Sequence, residues 1–329
     1  MNRKTVPIAV AAAAIAASIA MPVAAAAPIV KATVTDGTLR ISGSPRADNI
    51  VLRLSALDAN QLQVDVGDDG SADKTFDIAT LRAIDVEAGN GNDTVRIDQL
   101  NGAFTTRLPT RIDGQNGDDT LIGGSGNEIF VGGRGDDLVD GNGGADTAFL
   151  GKGDDTFVWD PGDGSDVVEG GRGRDTLVFN GSAGNEIMAA TANGTRVSFT
   201  RNLGNIVMDV DGVEAIDVRA LGGTDAVTVN DVGGTDLKRV DVDLAATIGG
   251  STADGQADTV TVAATKGDDS IAVDANGAAV DVSGLAASVR ITHADSASDT
   301  LVIDPVAGAD HVAIDPAVNG LIQVSVLSN

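Results

Sequence analysis

The stretch GGRGDDLVDGNGGADTAFLGKGDDTFV, Gly132–Val158, decides how the rest of the chain is read. Glycine and aspartate fill more than half of it, so like charges crowd a ribbon with few core-forming residues. Laid out in nines, it belongs to a longer series: GQNGDDTLI from Gly114, GGSGNEIFV from Gly123, GGRGDDLVD from Gly132, GNGGADTAF from Gly141 and LGKGDDTFV from Leu150. Two inserted residues, Trp159 and Asp160, precede PGDGSDVVE from Pro161 and GGRGRDTLV from Gly170. Position four is always glycine: Gly117, Gly126, Gly135, Gly144, Gly153, Gly164 and Gly173. Position six is always acidic: Asp119, Glu128, Asp137, Asp146, Asp155, Asp166 and Asp175. Position eight is apolar throughout, from Leu121 to Leu177.

One inward side chain per nine residues describes a strand of minimal length, and the glycine-rich half supplies backbone angles that other residues resist. Each unit is therefore a turn plus a short strand. Two units make one coil, so units n and n+2 stack with strands about 4.8 Å apart. The acidic side chains then form two columns, Asp119, Asp137, Asp155, Asp175 and the weaker Glu128, Asp146, Asp166. Residues 113–180 carry a net charge of −11, and repulsion within the columns opposes folding unless cations sit between coils. A hard divalent ion suits carboxylates and turn carbonyls. Calcium outranks zinc and copper because cysteine is absent and the two histidines, His293 and His311, lie outside the repeats. Magnesium demands a more regular octahedron than such loops offer.

These units resemble the calcium-binding nonapeptide of the RTX, or haemolysin-type, repeat proteins, with seven copies in phase. The resemblance covers 65 of 329 residues. It implies an all-β fold, a right-handed parallel β-roll in which several calcium ions lie between successive turns. Position-six carboxylates and carbonyls of the turns that contain the position-four glycines would hold them. Glu128 departs by one extra methylene, Ala148 by a small inward residue, and Gln115 and Asn142 by side chains where the backbone favours glycine.

The totals agree. The chain has 329 residues, 42 glycines, 2% aromatic and 42% hydrophobic content, which suits a thin core of small branched residues in a repetitive β protein. Its formal charge of −26 repels nucleic acid and anionic membrane surfaces and leaves cations as natural partners. Without cysteine, no disulfide staples it. The first residues combine Arg3 and Lys4, an apolar run and small-residue cleavage options near Ala26, which reads as an export signal over 1–26. An uncleaved anchor is the other reading, disfavoured because alanine is weakly hydrophobic. No later run reaches membrane-spanning length, so a secreted, extracellular protein is expected.

The flanks, 27–112 and 181–329, show short alternating strands and turns. Leu81–Ile97 aligns without a gap on Val213–Val229, with eight of 17 positions identical. Within the first copy, AGNGNDTVR from Ala88 is nearly a nonapeptide, which makes Asp93 a further candidate ligand; Asp225, Asp269 and Asp299 are fainter echoes. DVGDDGSAD from Asp65 superficially resembles an EF-hand loop but has Phe76 at its twelfth position, and a hairpin turn explains it. Whether the flanks continue the roll or fold separately stays open at this level.

No zinc-protease or phosphate-loop motif is present, and neither histidine has a recognisable partner motif. The expectation is a structural or interaction module rather than an enzyme, with a cell-surface or polysaccharide ligand. Two alternatives remain, a polysaccharide lyase or epimerase on a β-solenoid and a calcium-dependent adhesin or matrix component. Trp159 is read as a core residue, or else as an exposed sugar-stacking platform.

Overall fold

The computed structural model describes residues 30–328, so the expected export signal over 1–26 lies outside the described residues. No helix among them is long and apolar enough to cross a membrane. The minimal strands of the repeat alternate between two sheets. Thr110–Asn116, Glu128–Arg134, Thr147–Lys152 and Val167–Arg172 lie side by side in one; Thr120–Ile122, Leu138–Asp140, Thr156–Trp159 and Thr176–Asn180 lie in the other. All are parallel to their neighbours, and the register follows the nine-residue phase: Val139 pairs with Leu121 and Phe157, and Phe130 with Ile112 and Ala148. Units n and n+2 therefore stack, and two units make a coil of a parallel β-roll.

The core between the sheets is one side chain deep per strand. Leu121, Phe130, Val139, Ala148, Phe157, Val168 and Leu177, the position-eight residues, are all fully buried. At about 25 cal/mol per Å² of apolar area, such a thin core gives each coil little of its own, so each coil leans on its neighbours. Trp159 is fully buried, not an exposed platform: its ring stacks on Phe179 at 4.1 Å and its indole N–H donates to the Gly164 carbonyl at 2.8 Å. Phe149, by contrast, is 45% exposed on the outer face.

The flanks continue the roll. Among the described residues each sheet has 14 strands and runs unbroken through the repeat block into both flanks. Antiparallel hairpins interrupt the winding. In one sheet Arg196–Arg201 and Ile206–Asp211 are inserted between Val167–Arg172 and Ile187–Asn193. The acidic loop after Asp65 joins the antiparallel strands Gln61–Val66 and Lys74–Asp77, as a hairpin turn should, and Asp65 forms a buried ion pair with Arg53 at 2.7 Å.

Candidate metal centre

Every position-six carboxylate of the seven units is buried, with Asp119, Glu128, Asp137, Asp146, Asp155, Asp166 and Asp175 all at 2% exposure or less. They form two ladders. In the longer one Asp137 accepts from the Asp119 amide at 2.9 Å, Asp155 from Asp137 at 2.8 Å and Asp175 from Asp155 at 2.9 Å. In the shorter one Asp146 accepts from the Glu128 amide at 2.6 Å and Asp166 from Asp146 at 2.9 Å. Asp93 extends the longer ladder: its amide donates to Asp119 at 2.7 Å, and its own carboxylate accepts from Asp48 at 2.7 Å.

Each ladder bond uses one carboxylate oxygen; Glu128, which heads the shorter ladder, instead spends one on the Gly124 amide of its own unit at 2.7 Å. The second oxygen of all seven units, and of Asp93, is buried without a hydrogen-bond partner. An unpartnered buried charge of this kind is costly. Burial, partly offset by the ladder hydrogen bond and reinforced by neighbouring carboxylates, pushes the Asp137 and Asp93 carboxyls up to about 7. By the same cause Asp146 rises to about 9, and Asp119, Asp166 and Asp175 to about 6. Glu128 and Asp155 are shifted upward too, again chiefly by burial.

The glycines explain how the oxygens come so close to backbone. A β-carbon on Gly114 would collide with Asp119 Oδ2 and with the Gly132 carbonyl oxygen of the next coil; one on Gly132 would meet Asp137 Oδ2 and the Leu150 carbonyl. Gly123 and Gly170 likewise meet both a position-six carboxylate oxygen and a main-chain carbonyl, so position one is a cradle in these four units, whereas units five and six have Leu150 and Pro161 there. At position four the backbones of successive coils touch: a β-carbon on Gly117, Gly135, Gly153 or Gly173 would run into the carbonyl of Gly91, Gly117, Gly135 or Gly153 respectively. Gly144 and Gly164 meet the carbonyls of Gly126 and Gly144 in the same way, and Gly126 meets Thr105. Gln115 and Asn142, at position two, take φ of 74° and 53°.

Two features are not apparent from the seven-unit alignment. Position five makes a second, outer ladder in the opposite sense, in which Asp118 and Asp136 accept from the amides of Asp136 and Asp154, at 2.9 and 2.8 Å. The frequency of Asp and Asn there was its only sequence signal. The register also does not end at Val178. After Phe179 and Asn180, which stand to unit seven as Trp159 and Asp160 stand to unit five, comes an eighth unit, GSAGNEIMA, Gly181–Ala189, with Gly184 and Glu186 at positions four and six.

In the flanks the ladder recurs through Glu186, Asp225, Asp258 and Asp299, and separately through Asp269 and Asp310. Among the described residues no group of three or more His, Cys, Asp and Glu side chains is arranged to hold a metal ion. Carboxylates alone therefore do not make a ligand set; a cation here needs main-chain carbonyls, which the position-one cradles offer. His293 has a partner that the sequence does not advertise, Asp243, at 2.6 Å from Nδ1. His311, in the strand His311–Ile314, is exposed.

Fold and site together define a parallel β-roll whose turns hold buried, unpartnered carboxylates and, at several position-one glycines, bring them close to main-chain carbonyls. The block carries RTX calcium-binding nonapeptide repeats: the family model of that description, with 4 copies, matches residues 111–127, 122–157 and 161–192, the last span including the eighth unit. No curated protein matches the chain. Among solved structures it is similar to the extracellular lipase LipA from Serratia marcescens, at 11% identity and a TM-score of 0.18, over 65% of this chain and 43% of that one. The chain thus spans less than half of that lipase's length.

Proposed function

We propose that this is an exported calcium-binding protein whose roll is set by calcium and serves a structural or interaction role rather than catalysis. The orphaned second oxygen of each position-six carboxylate carries the reading. Asp119, Asp137, Asp155 and Asp175 on one column, and Glu128, Asp146 and Asp166 on the other, would hold the ions together with carbonyls of the position-one cradles. Asp93 would extend the longer column. Bound calcium would supply the countercharge that these residues lack.

Export is supported by the basic start and apolar run of residues 1–26 and by the chemistry of the site. Such sites stay empty where calcium is scarce and fill where it is abundant, so the chain would set after leaving the cell. The ligand class favoured by an acidic, calcium-set surface is a cell-surface or polysaccharide partner.

The test is circular dichroism and thermal melting of the chain without residues 1–26, with millimolar calcium and then with chelator. Strand content and melting temperature should rise with calcium and fall with chelator. Identical melts in both would overturn the proposal.

A further inference from the structure

We infer that Arg201 is the resident cation of the eighth nonapeptide, standing where a metal ion is expected in the other seven, so that this unit is closed to calcium. The inference rests on the calcium reading above and concerns a unit that the family model includes.

The eighth cradle is built like the others. A β-carbon on Gly181 would meet Glu186 Oε2 at 2.5 Å and the Ala220 carbonyl oxygen of the next coil at 2.6 Å, the pairing of carboxylate and carbonyl seen at Gly114 and Gly132. The Glu186 amide donates to Asp225 at 2.8 Å, as a position-six amide should. What differs is the state of the carboxylate. In units one to seven one oxygen is buried and unpartnered; in unit eight neither is. Glu186 Oε1 takes Nε of Arg201 at 2.7 Å, Nη2 of the same guanidinium and the Ser182 hydroxyl at 2.8 Å, while Oε2 takes the Ser182 amide at 3.1 Å.

The guanidinium is built in rather than draped over. Its side chain is 7% exposed and that of Glu186 is fully buried. Nη1 donates to the Leu203 carbonyl at 3.1 Å, Nη2 to Ser182 Oγ at 3.2 Å, and the group lies 5.3 Å from the Trp159 ring centroid. Arg201 arrives on the inserted hairpin, in register with Met188 beside Glu186. That same hairpin separates the eighth unit from the shorter column, whose last strand, Val167–Arg172, pairs with Ile206–Asp211 instead. One insertion thus interrupts the column and delivers a fixed positive charge to the carboxylate left beyond the break. A planar, permanently charged fork suits a carboxylate buried this deeply.

Calorimetric calcium counts on the full chain without residues 1–26 test the inference, using wild type, Glu186→Gln, Arg201→Met and the double variant. Wild type and Glu186→Gln should bind equal numbers of ions, since Glu186 holds none. Arg201→Met should bind one more, because it restores an orphaned carboxylate in a complete cradle. The double variant, with the pair removed, should return to the wild-type count. If Arg201→Met fails to fold, equal counts for wild type and the double variant still support the inference. One ion fewer in Glu186→Gln or the double variant, or no gain in a folded Arg201→Met, would overturn it. Should wild type bind no calcium at all, it is the calcium proposal that falls.

Discussion

Asp137 lies in the middle of the longer column, with one oxygen on the Asp119 amide and the other unpartnered. Asparagine has the same shape, keeps an acceptor for that amide and removes the charge. Asp137→Asn should therefore stabilise the metal-free chain, since leaving a buried acceptor unsatisfied costs about 1–3 kcal/mol and more for a charged group. In calcium the same change should lower stability and affinity, because a ligand charge is gone. Paired thermal melts with calcium and with chelator read both signs; a shift in the same direction in both would argue that Asp137 holds no ion. Gly135 gives the contrast. At φ 112°, with a β-carbon aimed at the Gly117 carbonyl, Gly135→Ala should destabilise the chain with or without calcium. The backbone strain alone is worth about 1–3 kcal/mol, and the collision adds to it. Equal melts for wild type and Gly135→Ala would show that the coils can spread at no cost.

The column is the unit at the next scale, and its shifted carboxyls give it a pH signature. In the metal-free fold Asp93 and Asp137 titrate at about 7 and Asp119, Asp166 and Asp175 at about 6, each raised from 3.8 by burial first. Between pH 4 and 7 the folded chain then holds more protons than the unfolded one, so its stability falls as pH rises through that window. The contribution is complete below the unfolded value and lost above the folded one. Calcium must displace those protons, so its binding strengthens as pH rises. Chelated protein should melt higher at pH 5 than at pH 8, and calcium-loaded protein should show the reverse order. A chelated melting temperature that climbs from pH 5 to 8 would contradict buried, unpartnered columns.

The same scale shows how far the sequence could be read. Position four must be glycine because coils touch there, and position six needs a short side-chain acceptor because, in every unit but that of Glu128, it bonds the coil behind it. Both demands recur every nine residues, which makes seven units and two columns legible without coordinates. The eighth unit is fainter because the phase shift at Phe179 and Asn180 coincides with Ser182, Ala183 and Glu186, so that phase and signature weaken together. The Arg201 pairing was out of reach for a different reason: it depends on where a hairpin enters the sheet, and alternating residues from Arg196 say only that a strand is present.

Across the whole molecule, two unbroken sheets join parts of unequal charge balance. In the block each carboxylate of the ladder keeps one buried oxygen without a partner, whereas in the C-terminal flank the protein supplies partners to several of them. Glu186 has Arg201, Asp299 accepts from the amides of Asp258 and Asp295, and Asp269 accepts from the amide and hydroxyl of Thr265; Asp225 and Asp310 are exceptions, each with Oδ2 unpartnered. Solenoids hold together by nearest-neighbour contacts, so one stretch can open while another stays closed. Calcium at a hundred times its Kd adds about 2.7 kcal/mol per site to the stretch that binds it and nothing directly to the rest. Amide hydrogen exchange on the chain without residues 1–26 should therefore show protection of the strands between Thr110 and Asn180 collapsing on chelation. Strands from Thr259 to Asp304 should keep most of theirs. Uniform loss from one end to the other would mean that the roll opens as a single cooperative body, with the flank as dependent on calcium as the repeats.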